Sequence, residues 1–485
     1  MVQCKIVIRD EVNCKIEGLE LTTRRKLQKQ FEVVIPHARF LPSVRAGHWN
    51  GKMSYFDMGG RTYVNLLTDI IPVIVEDGYE VELEDHREKY DLEFDPVTEE
   101  TLSHLTWPVG HPAAGEPIKL RDYQVEIINK FLETPQCLQE IATGAGKTII
   151  TATLSLMCQK YGRTIVIVPN KDLVRQTYTD YKNIGLDVGL YFGDQKETDK
   201  MHTICTWQSL NNLFKKSKDD DEDTSDDVKM LLAGQVGIIV DEVHGAKADV
   251  LKSMLSGPFA HIPLRWGLTG TIPKEMYEFI LLRITLGEVT HRVGAADLQA
   301  KGVLSNCHVQ IVQIEDRGEF RSYQEELKYL MTTDTRLDKI SGIISRANID
   351  GNTLVLVDRI EAGKALAERI SGSVFLSGVS KSDVRQEHYD EVATSDNKVI
   401  IATYGIAAVG INIPRIFNLV LVEPGKSFVR VIQSIGRGIR KAADKDFVQI
   451  YDITSTCKYA KRHLTKRKVF YKEAKYDFNI TKVSL

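Results

Sequence analysis

The 485 residues contain no apolar run of about 18, so none of the chain is expected to cross a membrane as a helix. Met1–Asp10 is charged and has no apolar signal core, which excludes a secretion signal there and leads us to expect an intracellular, cytoplasmic protein (in the host cell if the source is viral). Cysteine is sparse: seven are scattered, odd in number and without a C-x-x-C pair, which argues against structural zinc and a disulfide framework. Charge of one sign is also missing. The formal net charge of −3 selects no partner by itself, so the local distribution of charge carries the information.

A chain of this length is too long for one ordinary core and predicts about three domains. Residues 1–100 read as a small α+β domain, with CKIVIR (4–9) and VNCKIE (12–17) as a hairpin and Thr22 or Thr23 capping a basic helix. Asn50-Gly51 predicts a second hairpin within 48–56, and YEVELED (79–85) a further strand. Pro108, Pro112 and Pro117 with Gly110 and Gly115 mark 101–117 as a linker. From 118 to 304, short apolar strands alternate with amphipathic helices: CLQEIAT, RTIVIVP, VGIIVDE and RWGLTGT. A second series, NTLVLVD, KVIIAT, NLVLVE and FVQIYDI, fills 305–456. Such alternation predicts an α/β fold with two tandem parallel sheets, covered on both faces, and a cleft between the copies. DDDEDTSDD (219–227) reads as a solvated loop, and 457–485, with eight Lys or Arg against one Glu over 458–475, as a basic tail.

The chemistry begins at ATGAGKT (142–148), which follows a strand and opens an apolar helix. Gly144 and Gly146 allow the backbone to curl so that its N–H groups face phosphate oxygens. Lys147 then reaches the β- and γ-phosphates, and the Thr148 hydroxyl suits Mg²⁺. The strict phosphate-loop pattern has glycine where this chain has Ile141. VGIIVDEVH (236–244) is a buried strand ending in two carboxylates: Asp241 can hold the magnesium and Glu242 can deprotonate an attacking water. In LRDYQ (120–124), the Gln124 amide can read an adenine edge. In QSIGRGIR (433–440), Arg437 and Arg440 share a helix face with Gln433 nearby, and either guanidinium can neutralise a transferring phosphoryl group.

In this order, across roughly 118–455, the motifs resemble those of the superfamily 2 helicases. LRDYQ is similar to the adenine-recognition motif, ATGAGKT to motif I, DEVH to motif II, LTGT (268–271) to motif III, TYGIAAVGINIP (403–414) to motif V and QSIGRGIR to motif VI. DEVH with LTGT resembles the branch of duplex-DNA translocases and repair helicases, including the recombination helicases of T-even phages, more than the DEAD-box RNA helicases. The resemblance implies two RecA-like motor domains, with ATP and Mg²⁺ as cofactors. It adds Arg121, Thr143, Ala145 and Gly410 as nucleotide contacts, and His244, Thr269 and Thr271 as coupling residues. VPNKDLVRQ (168–176) and TWQSL (206–210) resemble strand-contacting motifs, which places Lys171, Arg175, Trp207, Gln208 and Thr403 on DNA. Asn412 stands where many relatives have Asp, which puts a ribose contact in doubt.

The resemblance further implies a monomeric enzyme acting on branched or duplex DNA and on RNA–DNA hybrids. An RNA helicase and a translocase subunit of a restriction-type nuclease are the alternatives. In the first domain Arg45, Trp49 and Lys52 lie among aromatics, so they fit either DNA contact or a small core with a basic rim.

Overall fold

The computed structural model describes residues 2–36, 38–109, 113–217, 222–243, 248–380, 382–407, 413, 415–426, 435–436 and 444–485. The chain forms two compact units, one of residues 1–140 with 146–292, the other of 141–145 with 293–485. No helix among the described residues is long and apolar enough to cross a membrane.

The first unit opens with a four-stranded sheet of order β5-β2-β1-β6. Its strands are β1 (Val2–Ile8), β2 (Asn13–Glu17), β5 (Arg61–Tyr63) and β6 (Tyr79–Asp85), and β3 (Glu32–Val34) with β4 (Lys52–Ser54) forms a separate ribbon. β1 and β2 make the expected hairpin, Ile6 facing Ile16, while β6 runs parallel to β1. The second expected hairpin does not form. Gly51, at φ +74°, turns the chain into β4, which pairs with β3 far upstream, Val33 opposite Met53. The basic helix spans Leu21–Gln30, and its N-cap is Glu20 rather than either threonine.

The motor sheet of this unit has eight strands in the order β10-β9-β11-β8-β12-β13-β7-β14. They are β7 (Gln136–Ile141), β8 (Arg163–Val168), β9 (Val188–Phe192), β10 (Gln195–Lys196), β11 (His202–Thr206), β12 (Gln235–Asp241), β13 (Leu264–Thr269) and β14 (Glu288–Val293). The run β9-β11-β8-β12-β13-β7 is parallel throughout, so its strand C-termini share one edge, where α/β sheets bind ligands.

Helix Met276–Leu286 joins the N-terminal sheet to this motor. It is apolar nearly all round, as a helix buried on two sides must be. Leu282 and Leu286 enter the motor core, whereas Ile280, Leu281 and Ile284 enter the core of the N-terminal sheet beside Ile6, Phe56 and Ile74. Polar contacts reinforce the junction. Gln136 Nε2 donates to the Glu11 carbonyl at 3.0 Å, Asn13 Nδ2 to the Ser256 carbonyl at 2.9 Å, and Arg283 to Asp69 at 2.6 Å. Among the described residues of the segment expected as a linker, Leu102 is buried and Trp107 N donates to the Glu116 carbonyl at 2.9 Å.

The second unit is a parallel seven-stranded sheet of order β17-β18-β16-β19-β20-β15-β21. Its strands are β15 (Asn306–Glu315), β16 (Thr353–Val357), β17 (Val374–Leu376), β18 (Val399–Thr403), β19 (Asn418–Val422), β20 (Phe447–Ser455) and β21 (Asp477–Ser484). The segment expected as a basic tail is instead helix Lys458–Glu473 followed by β21, which completes the sheet edge against β15. Arg467, counted among the tail charges, is fully buried and grips Asp452 with two bonds of 2.8 and 2.9 Å. The acidic stretch also departs from expectation, since Glu222–Leu232 is helical; 218–221 lie outside the described residues.

Candidate nucleotide-hydrolysis site

β7 ends at Ile141 and helix Lys147–Cys158 begins six residues later, so the intervening loop must reverse the chain tightly. Gly144 at φ +92° and Gly146 at φ +82° make that possible in a backbone region that side chains rarely enter. Gly146 is also the helix N-cap, and as glycine it offers no side chain to cap the first turn. A Cβ at Gly146 would sit 2.6 Å from Gln124 Nε2, so any side chain there would have to displace that amide as well as hold a positive φ. Gln124 is buried, and its Oε1 accepts from Arg121 N at 3.0 Å, which closes the start of helix Asp122–Glu133. The sequence suggested that Gln124 reads adenine. The fold shows the amide beside Gly146, with its oxygen bonded within LRDYQ to Arg121 N.

The carboxylates stand at the end of β12. Asp241 is its last residue, and Glu242 takes a left-handed conformation, φ +50°, which is costly for a non-glycine residue and typical of functional turns. The turn aims Glu242 at the loop: its Oε1 lies 2.7 Å from Lys147 Nζ, with only 10% of the lysine and 11% of the glutamate side chain exposed. Glu242 Oε2 accepts from Gly270 N at 3.3 Å. Behind Gly270, the Thr269 hydroxyl donates to the Thr271 carbonyl at 2.9 Å and accepts from Thr271 N at 3.2 Å, a tight turn after β13. Residues of ATGAGKT, DEVH and LTGT therefore converge on one carboxylate. The Gly270 contact was not legible in sequence, because a backbone donor has no side-chain signature.

Two further motifs meet along the same edge. β8 and β11 are adjacent, with Val168 opposite Thr206. Asn170 caps helix Lys171–Asn183, and Thr206 caps helix Trp207–Lys216. Gln208 Nε2 reaches the Pro169 carbonyl at 3.4 Å, and Lys171 and Arg175 are exposed. Trp207 packs in part against the motor core. In the N-terminal sheet's ribbon, the Trp49 indole donates to the Lys52 carbonyl at 2.9 Å and Lys52 pairs with Glu32 at 2.8 Å, while Arg45 is exposed. Thr403 ends β18 in the second unit. His244, Gly410, Asn412, Gln433, Arg437 and Arg440 lie outside the described residues.

The second unit holds a buried polar network that the sequence did not announce. Arg336 donates to Glu423 at 2.5 Å, to Asp316 at 3.3 Å and to the Leu330 carbonyl at 2.7 Å. Arg467 adds a bond to the Gly425 carbonyl at 2.7 Å, and Tyr471 bonds Asp452 at 2.7 Å. Burial, opposed by Arg336 and Arg467, raises the Glu423 carboxyl to about 7. A carboxylate at a strand end, as in NLVLVEP, was the one available clue.

Residues 117–274 match the family described as type III restriction enzyme, res subunit, and residues 335–442 match the helicase conserved C-terminal domain. The chain is similar to the ATP-dependent DNA helicase uvsW of Enterobacteria phage T4, 24% identical over 93% of this chain and 90% of the relative. It is similar to the DNA 3'-5' translocase XPB2 of Sulfurisphaera tokodaii, 23% identical over 76% of this chain and 88% of the relative. In fold it is similar to a fragment of a putative HsdR subunit of a type I restriction enzyme from Vibrio vulnificus, with a TM-score of 0.56 at 14% identity, covering 97% of this chain and 85% of that one. A phosphate-type loop whose lysine meets the carboxylate of DEVH, on the first of two parallel-sheet units that carry these two matches in order, places the protein: the chain belongs to the superfamily 2 helicases and is an ATP-dependent helicase.

Proposed function

We propose that this helicase acts on branched DNA, unwinding or branch-migrating Holliday junctions, stalled forks and R-loops in recombination, repair and replication. The meeting of Lys147, Glu242 and Gly270 carries the catalytic half of the reading. The DNA half is supported by the phage T4 and archaeal relatives, whose names state DNA as their substrate.

Lys147 exchanges its contact with Glu242 for the β- and γ-phosphates of ATP, and the released Glu242 carboxylate turns to the attacking water. Thr148 and Asp241 supply hydroxyl and carboxylate oxygens, the donor set suited to Mg²⁺. When bound, that ion supplies charge neutralisation on the phosphates. Gln124 and Arg121 hold the base end; Thr143, Gly144, Ala145 and Gly146 form the phosphate loop, with Gly410 as a further contact. Arg437 and Arg440, supported by Gln433, neutralise charge on the transferring group. The Gly270 contact to Glu242 connects loss of the γ-phosphate to LTGT, so Thr269 and Thr271, with His244, are the coupling residues. Lys171, Arg175, Trp207, Gln208 and Thr403 contact the strand, with Arg45, Trp49 and Lys52 ahead of the motor.

The test is the steady-state ATPase rate without nucleic acid and with single-stranded DNA, duplex DNA, a four-way junction or RNA, using Lys147→Ala as the blank. Strongest stimulation by branched DNA supports the proposal. Stimulation by RNA alone overturns the DNA assignment and leaves the ATPase site standing.

A further inference from the structure

The N-terminal sheet carries an unusual surface. Val34, Phe40, Leu41 and Met53 are exposed on the β3–β4 ribbon and the loop between its strands, and Phe40 and Leu41 are consecutive in that loop. Phe40 is 52% exposed, Leu41 43% and Val34 64%. Residues 21–56 contain seven Lys or Arg and one acid, Glu32; Lys52 pairs with Glu32 and Lys26 with Asp77, while Arg39 and Arg45 in the loop itself are exposed. Arg39 stacks its guanidinium over the Phe40 ring at 4.8 Å.

This loop is tied down by its own hydrogen bonds. Ile35 N donates to the Gly51 carbonyl at 2.9 Å, and the Ser43 carbonyl accepts from His48 N at 2.9 Å and Trp49 N at 3.2 Å. The Trp49 indole closes onto Lys52, and Gly51 is so close to Ala38 that any Cβ would lie 2.9 Å from it. At its base, Ser54 Oγ donates to the Gln28 carbonyl at 2.8 Å, and Tyr55 and Phe56 enter the core shared with helix Met276–Leu286. The loop that carries Phe40 and Leu41 is therefore joined to the motor through a continuous core.

We propose that Phe40 and Leu41 form a strand-separating wedge that takes the first unpaired bases at a DNA fork, while the flanking cations hold the phosphates. The chemistry of the surface selects this occupant. Positive charge favours a polyanion, and exposed aromatic and aliphatic groups suit base faces, which a fully paired duplex keeps stacked. An apolar side chain inserted at a base step offsets part of the unstacking energy at each opened pair. The inference rests on the DNA reading above and deepens it by locating where the strands part.

The experiment compares wild type with Phe40→Ala/Leu41→Ala in three assays: ATPase stimulated by single-stranded DNA, displacement of streptavidin from single-stranded DNA, and unwinding of a forked duplex. Both residues are exposed, so the melting temperature should stay the same and confirm a folded variant. The wedge predicts unchanged ATPase and streptavidin displacement, with fork unwinding slowed at least about tenfold. It also predicts that Phe40→Trp restores unwinding. Wild-type unwinding rates in the double variant would overturn the wedge and assign the surface to a protein partner instead. An equal loss in all three assays would overturn it too, by showing a general affinity role. If wild type itself neither responds to DNA nor unwinds it, the DNA reading fails first, an outcome distinct from failure of the wedge alone.

Discussion

Lys147 and Glu242 form a nearly buried ion pair of 2.7 Å that ties the phosphate-type loop to the end of β12. Each partner neutralises the other where little of either side chain reaches solvent. Glu242→Gln removes the general base and keeps one acceptor oxygen, which can take the bond from Lys147 or from Gly270 N but not both in this geometry. We expect ATP binding to persist while kcat falls by about 10²–10⁴-fold. Single-turnover hydrolysis and nucleotide binding measured on the same preparation check this; a normal turnover rate would contradict it.

Gly146 answers two constraints at once, φ +82° and the approach of Gln124. Gly146→Ala adds about 1–2 kcal/mol of backbone strain and also displaces the Gln124 amide. The expected result is a raised KM for ATP and at least about a tenfold loss of kcat/KM. Gly78→Ala is the control: φ is +89° there, but nothing lies within 4 Å of the added carbon, so it should lose only stability and keep its ATPase.

Arg467→Met leaves Asp452 buried without its bidentate partner. Stranding one charge of a buried pair destabilises by about 3–5 kcal/mol, and we expect the urea midpoint to fall accordingly. Adding Asp452→Asn should recover part of that loss. An unchanged midpoint in the single variant would show that the helix Lys458–Glu473 is dispensable to the second sheet.

His202 gives a pH prediction. Its ring is fully buried against Thr164, at 2.7 Å, and burial lowers its pKa from 6.5 to about 4. The unfolded chain therefore takes up a proton near pH 6.5, while the folded chain resists until about 4. Stability is fully present above pH 6.5, declines as pH falls, and has lost about 3 kcal/mol by pH 4. His202→Gln should flatten that decline in denaturation curves taken from pH 7 to 4. Equal slopes would rule the group out.

Much of this molecule was legible in sequence because its strands are continuous apolar runs. All eight strands of the two motor series stand where they were read, and the loop between β7 and Lys147 has the glycines it needs. Other elements carried no such mark. β21 is a polar edge strand, DFNITKVS, and the helix before it is so basic that it resembled a solvated tail, although Arg467 points inward to Asp452. The union of the N-terminal sheet with the motor was hidden for a different reason. Ile280, Leu281 and Ile284 look like ordinary core residues, and only the fold shows that their partners are Ile6 and Phe56. The Asn50-Gly51 turn was read correctly as a turn but assigned the wrong partner strand, because β3 lies outside any local window.

The central claim is that ATP hydrolysis at Lys147 and Glu242 drives the separation of DNA strands. A strand-displacement assay on a labelled four-way junction, with wild type and Lys147→Ala side by side, tests it most directly. The account predicts ATP-dependent separation by wild type and none by Lys147→Ala. Equal displacement by the two proteins, or none by wild type while it hydrolyses ATP on the same junction, would contradict it.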